Sequence, residues 1–149
     1  LVILDTLPSF GNALAAAHRS ADWLVIPTEL ARFSKKGITY QLRTAMNTKN
    51  VFNTDLTLLG IVVNKITYTS RKDNELLRIQ ENYRELLEEQ YGDLMLSPAL
   101  KLATSIVESQ AIGVPLIEYA PKSETTLQFT QLSQELLRRI KVEEEGIHG

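Results

Sequence analysis

Short apolar runs alternate along this chain with longer stretches whose apolar residues recur at helical spacing, and no other feature restricts the fold as much. Strand, helix and strand in that order build a parallel sheet with helices packed on its faces. The strand candidates are residues 1–4, 23–26, 58–63, 94–96 and 115–118. Between them, residues 12–19 are alanine-rich, and 36–48 place Ile38, Leu42, Ala45 and Met46 at helical spacing. Residues 72–91 carry Leu76, Leu77, Ile79, Tyr83, Leu86, Leu87 and Tyr91, the stripe of a long helix lying on a sheet. Gly92 ends that helix as a left-handed C-cap, and Gly113 stops another over 104–112. The last helix, 123–141, takes Ser123 as N-cap and buries Leu127, Phe129, Leu132, Leu136, Leu137 and Ile140. Residues 142–149 are acidic, then glycine-ended, and are expected to fray. The predicted fold is α/β: a partial doubly wound parallel sheet flanked by helices, in one domain over 1–141.

Composition narrows the function classes. At 149 residues there is room for one core and not for two ordinary domains. The absence of cysteine excludes disulfides and thiolate metal sites and fits a reducing, cytoplasmic home. No apolar run reaches the length needed to cross a bilayer, and no signal peptide with a basic start is present. A net charge of −2 exerts no overall pull on nucleic acid, so any such contact needs a local basic patch. The chain also opens inside an apolar run, Leu1-Val2-Ile3-Leu4. Domains seldom begin within a buried strand, so further sequence is expected upstream.

The same run leads into Asp5. An acid at the carboxyl end of a buried parallel strand lies where open α/β sheets bind ligands, and it suits the water shell of Mg²⁺. An Asp in that place also serves simply to cap the following turn, and the motif alone leaves both readings open. Its neighbours add weight. Apolar strand, Asp5, Thr6, Leu7, Pro8 and Ser9 together resemble the Walker B segment of the ParA/MinD group of ATPases, with Leu7 in place of the family's first proline. Asn12-Ala13-Leu14, Ala21-Asp22 and Val25-Ile26-Pro27 follow in the family's order, and Thr28 through Gly37 match its next segment. Leu58-Leu59-Gly60-Ile61-Val62-Val63-Asn64-Lys65 is similar to the family's glycine-containing strand. Glu108 through Ser123 is similar to its E-A-x-x-x-G-x-P-hydrophobic-x-Y-x-P-x-S run, the most specific piece.

The resemblance implies a fold of the P-loop NTPase type with its N-terminal strands missing, and a C-terminal portion of a ParA-type positioning ATPase. It implies ATP and Mg²⁺ as cofactors, a homodimer, non-specific DNA and a ParB-like or adaptor protein as partners, and a cytoplasmic, nucleoid-associated location. The cargo would be a plasmid, a chromosome or a carboxysome-like body. Asp5 becomes the Walker B acid, acting on Mg²⁺ through water. Asn64 becomes an adenine contact, with a plain strand-end turn residue as its alternative, and Ser97 and Pro98 form the other side of the adenine pocket. Lys35 and Lys36 are either phosphate contacts reaching across the dimer or an ordinary solvated helix start. Arg71, Lys72, Lys101, Arg138, Arg139 and Lys141 match positions where the family touches DNA backbones, or else belong to an ordinary charged surface. Among the seven glycines there is no G-x-x-x-x-G-K-[ST] loop, so this chain by itself is not expected to hydrolyse ATP. Two other readings stand beside this one. A MinD-like membrane-associated ATPase would need a basic amphipathic tail, and Glu143, Glu144 and Glu145 argue against it. A non-catalytic α/β interaction module is the other.

Overall fold

The computed structural model of the chain describes residues 1–6, 11–32, 34–52, 55–68 and 76–147, with the side chains of 142–147 excepted. Its strands are β1 (Trp23–Glu29), β2 (Thr57–Asn64) and β3 (Met95–Leu96). They form a parallel sheet in the order β1-β2-β3. Helix α1 (Asn12–Ser20) precedes the sheet, α2 (Ser34–Phe52) connects β1 to β2, and α3 (Arg78–Tyr91) with a 3-10 turn (Gly92–Leu94) connects β2 to β3. Helices α4 (Thr104–Ile112), α5 (Leu116–Tyr119) and α6 (Glu124–Ile147) complete the chain.

Because successive strand side chains point to opposite faces, β2 feeds two cores. Ile61 and Val63 join Ile26, Ile38, Leu87 and Tyr91 on one side, beneath α2 and α3. Val62 joins Leu96, Leu100 and Leu132 on the other, beneath α6. The result is an α/β fold with helices on both sheet faces, and a central strand apolar along its length, as a doubly covered parallel strand must be.

One irregularity shapes the sheet. Leu24 pairs with Leu58 and Val25 with Gly60, so Leu59 is the extra residue of a bulge. Gly60 takes φ 156°, and a Cβ there would lie 2.7 Å from both the Leu94 carbonyl oxygen and Leu96 Cγ. Only glycine fits. The predicted N-cap of α6 is present: Ser123 Oγ accepts the Thr126 N–H at 3.1 Å. Gly113 closes α4 with φ 69°. Helix α6 runs on past Lys141 to Ile147.

Three predicted elements differ. Residues 1–4, read as a buried strand, are exposed and pair with none of the described strands. Residues 115–118 form no strand; Pro115 instead precedes the short helix α5, its fixed φ of −56° suiting a helix start. The helix expected over 72–91 begins at Arg78. Leu76 lies before it, buried and bridged antiparallel to Tyr68. Its burial supplied an apolar residue in helical phase without being helical. Of the stripe, Leu87 and Tyr91 are buried while Ile79 and Leu86 are exposed.

Candidate functional site

In an open parallel sheet, ligands bind beyond the carboxyl ends of the strands, where loops leave for the next helix. Here that edge is built by the ends of β1, β2 and β3. Asn64 closes β2 and pairs in register with Glu29, the last residue of β1. The Asn64 Oδ1 accepts the backbone N–H of Lys65 at 2.9 Å. Lys65 has φ 57°, the one positive φ among the described non-glycine residues. Its Nζ donates to Glu29 Oε1 at 2.6 Å, an ion pair spanning the two strand ends.

The loops leaving β2 and β3 then run side by side. Leu100 N–H donates to the Val63 carbonyl at 2.8 Å, Ile66 N–H to Leu100 at 3.0 Å and Leu102 N–H to Ile66 at 3.0 Å. Ser97 and Pro98, joined by a cis peptide bond, follow β3 directly and so lie on the same edge as Asn64. At the β1 side, Ser34 Oγ donates to the Glu29 carbonyl and accepts the Ala31 N–H, shaping the turn into α2. Lys35 and Lys36 are exposed in the first turn of that helix. Asn64, Ser97, Pro98, Lys35 and Lys36 therefore all occupy the carboxyl side of the sheet.

Asp5 is placed differently. It lies in the exposed segment 1–6, which pairs with none of the described strands, while Leu7, Pro8 and Ser9 of the same motif lie outside the described residues. Among the described residues no group of three or more His, Cys, Asp or Glu side chains could hold a metal ion. The Asn64 Oδ1 is engaged by the Lys65 N–H, and no hydrogen bond of its Nδ2 is found among the described residues.

The basic residues separate into three kinds. Arg139 is turned inward: Nη1 donates to the Leu59 carbonyl at 2.8 Å, Nη2 to Met95 at 3.2 Å, and Nε to Glu135 Oε1 at 2.8 Å. It satisfies a carbonyl of the bulge, so its donors are committed to the sheet rather than to a phosphate. Lys101 is likewise engaged, paired with Glu124 and lying 4.6 Å from the centre of the Tyr68 ring. Arg138 is exposed but forks onto Glu135 through Nε and Nη2, each at 2.8 Å. The hydrogen bonds from Arg138 and Arg139 hold the Glu135 carboxyl down to about 2. Lys141 is exposed, and Arg71 and Lys72 lie outside the described residues.

Sequence reasoning missed Glu29, Lys65 and the docking role of Arg139. It also read no role into His18. That side chain is 3% exposed, its Nδ1 has no hydrogen-bond partner among the described residues, and burial lowers its pKa.

No protein-family model matches the chain. Protein IncC of Escherichia coli is 33% identical over 114 residues, 76% of this chain and 29% of its own length. Chromosome partitioning protein ParA of Myxococcus xanthus is 25% identical over 138 residues, 93% of this chain and 46% of its own. Chromosome-partitioning ATPase Soj of Thermus thermophilus is 23% identical over 141 residues, 95% of this chain and 54% of its own. The chain is a distant relative of the ParA, Soj and IncC partition proteins. It spans about half or less of the length of these relatives. No helix among the described residues is long and apolar enough to cross a membrane.

Proposed function

We propose that this chain is the C-terminal portion of a ParA-type partition ATPase and supplies the base-binding side of its nucleotide site. The relation to ParA and Soj, which extends over nearly the whole chain, carries the reading. The gathering of Asn64, Ser97 and Pro98 on the carboxyl edge supports it. In this reading Asn64 donates to the base, Ser97 and Pro98 flank it, and Lys35 or Lys36 faces phosphates. Asp5 joins the Mg²⁺ shell only together with a phosphate-binding loop that this sequence does not contain. ATP binding would promote dimerisation, a ParB-like partner would stimulate turnover, and the protein would move plasmid, chromosome or carboxysome-like cargo over the nucleoid in the cytoplasm. Backbone contacts to DNA would then fall to Lys141 and Arg138, with Arg71 and Lys72.

Calorimetric titration of the full-length protein with ATP tests the core of this. Wild type should bind. Asn64→Ala, which also removes the acceptor of the Lys65 N–H, should bind about three- to tenfold more weakly, the range of one lost hydrogen bond. No ATP binding by the wild type, or equal affinity in the variant, overturns the assignment.

A further inference from the structure

Charge is unevenly shared among the helices. The chain carries a net charge of −2, yet α2 holds Lys35, Lys36, Arg43 and Lys49 and no Asp or Glu over its 19 residues. Helix α1, packed beside it, has Arg19 and no acid, and Arg19 lies 4.6 Å from the centre of the Phe52 ring at the end of α2. The acids sit elsewhere: Glu81, Glu85, Glu88 and Glu89 on α3, Glu124 and Glu135 on α6. Those nearest α2 in sequence, Glu29 and Asp55, fall outside the helix, and Glu29 is paired with Lys65. Lys35 and Lys36 occupy the first turn of α2, where the helix dipole favours acids, so this distribution does not serve the helix itself. Helix α2 turns Ile38, Leu42 and Thr48 toward the protein. Lys36, Arg43, Asn47 and Asn50 return to nearly one side of the helix, opposite the buried one, and all four are exposed. Arg43 enters no ion pair among the described residues, unlike Lys101, Arg138 and Arg139, which already hold carboxylates.

We propose that the outward stripe of α2, formed by Lys36, Arg43, Asn47 and Asn50, is a surface that lies along the phosphates of duplex DNA of any sequence. The choice of DNA as the polyanion rests on the reading of the chain as a partition ATPase, whereas the positive stripe stands without it. From Lys36 to Asn50 the stripe is about 21 Å long, a length over which a duplex presents about twelve phosphates. Arginine and lysine bring the charge, and the asparagine amides add donors that phosphate oxygens accept. Contacts of this kind fix a protein on the backbone without selecting a base. An anionic membrane fits less well. A helix held at a lipid surface sinks an apolar face among the headgroups, but the apolar face of α2 packs on the sheet and two asparagines stand in the outward stripe.

Fluorescence anisotropy of the full-length protein with Mg²⁺ and ATP, on two duplexes of unrelated sequence and over a range of salt, tests this. Wild type should bind both duplexes alike and lose affinity as salt rises. Arg43→Gln should weaken both equally and lower the slope of log affinity against log salt by about 0.9, the share of one phosphate contact. Arg43→Glu should weaken them further, and Arg43→Lys should keep the slope. Replacing Asn47 and Asn50 together by alanine should lower affinity and leave the slope, because neutral donors release no counterion. Thermal melts and calorimetric titration with ATP should give the same values for Arg43→Gln as for wild type, since Arg43 is exposed and mid-helix. A wild type that binds DNA, with an Arg43→Gln slope equal to it, overturns the α2 surface; a slope lowered by Arg138→Gln alone moves the contact to α6. Binding to phosphatidylserine vesicles that depends on Arg43, with duplex binding unchanged, overturns the choice of DNA in favour of a membrane. A preference for one duplex overturns the phosphate-only contact. A wild type that binds ATP but neither duplex overturns the surface and the DNA partner, while leaving the nucleotide reading standing.

Discussion

Truncating Arg139 tests whether α6 is fastened to the sheet through backbone carbonyls. Arg139→Ala removes the donors to Leu59 and Met95 and one of the two guanidiniums on Glu135. The side chain is 20% exposed, so water replaces these bonds poorly. Each hydrogen bond from a charged group is worth about 1.5–3 kcal/mol. The two carbonyls share one guanidinium and losses of this kind overlap, which gives about 3 kcal/mol for the variant. At this chain length that corresponds to a fall in Tm of about 6–12 °C. Arg138→Ala is the control. It removes a guanidinium from the same carboxylate, but its side chain is 61% exposed, and such pairs contribute about 0–1 kcal/mol. Arg139→Met separates donors from packing, because it keeps much of the apolar stem. Urea unfolding followed by Trp23 fluorescence and by circular dichroism gives all three values, and urea leaves ion pairs unscreened. The pH dependence supplies a second arm. The Glu135 carboxyl sits near 2 against an ordinary 4.5, so its stabilisation is fully present above about pH 4.5 and is lost as pH falls toward 2. Replacing both arginines should flatten that decline. If Arg139→Ala costs no more than Arg138→Ala, the carbonyl contacts do not hold α6, and the reasoning fails.

Gly60→Ala should destabilise the chain by about 3 kcal/mol, since its Cβ meets the Leu94 carbonyl and Leu96 Cγ at 2.7 Å and φ 156° resists any side chain; a urea midpoint within error of wild type would mean the bulge can relax. His18 is buried and its pKa is lowered below 6.5, so the unfolded state binds the extra proton and stability should fall as pH drops below about 6.5. His18→Leu should remove that component of the decline, and an unchanged pH profile of the urea midpoint would assign it to other groups.

How much of this was legible in the sequence depended on whether a residue's role is local. Strand β2 was legible because a strand covered on both faces must be apolar at successive positions, as Leu58 through Val63 are. Helix α4 was legible through Gly113, whose φ of 69° is the cap the sequence announces. Residues 1–4 have the same strand-like composition, but a strand exists only when a neighbour pairs with it, and none of the described strands does so. Leu76 was misread because a buried residue in a bridge and a buried residue on a helix obey the same composition. At the site, Asn64, Ser97 and Pro98 could be placed from their positions after apolar runs. Lys65 could not, because lysine carries no preference for positive φ. The pairing with Glu29, far away in sequence, appears only once β1 and β2 lie in register.

Arg139 shows why charge near a helix end is a poor guide to nucleic-acid contact. On the sequence it belongs with Arg138 and Lys141, a short basic stretch suited to a phosphate backbone. In three dimensions Leu59 is the extra residue of the β2 bulge, and a buried carbonyl there needs a donor. Arg139 meets that need from the opposite layer, and its commitment pulls Glu135 into the same cluster. Glu135 then becomes a competitor for Arg138, because a carboxylate already forked onto a guanidinium at 2.8 Å must be displaced before a phosphate can take its place. Lys101 follows the same logic at the other end of α6, where it pairs with Glu124 and its N–H meets Gln128 Oε1 at 3.3 Å. Helix α6 thus ties the loop after β3 at one end and the β2 bulge at the other. Lys101 and Arg139 both hold the helix in place, so of the basic residues described on α6 only Lys141, and whatever share of Arg138 the carboxylate releases, are left for any other contact.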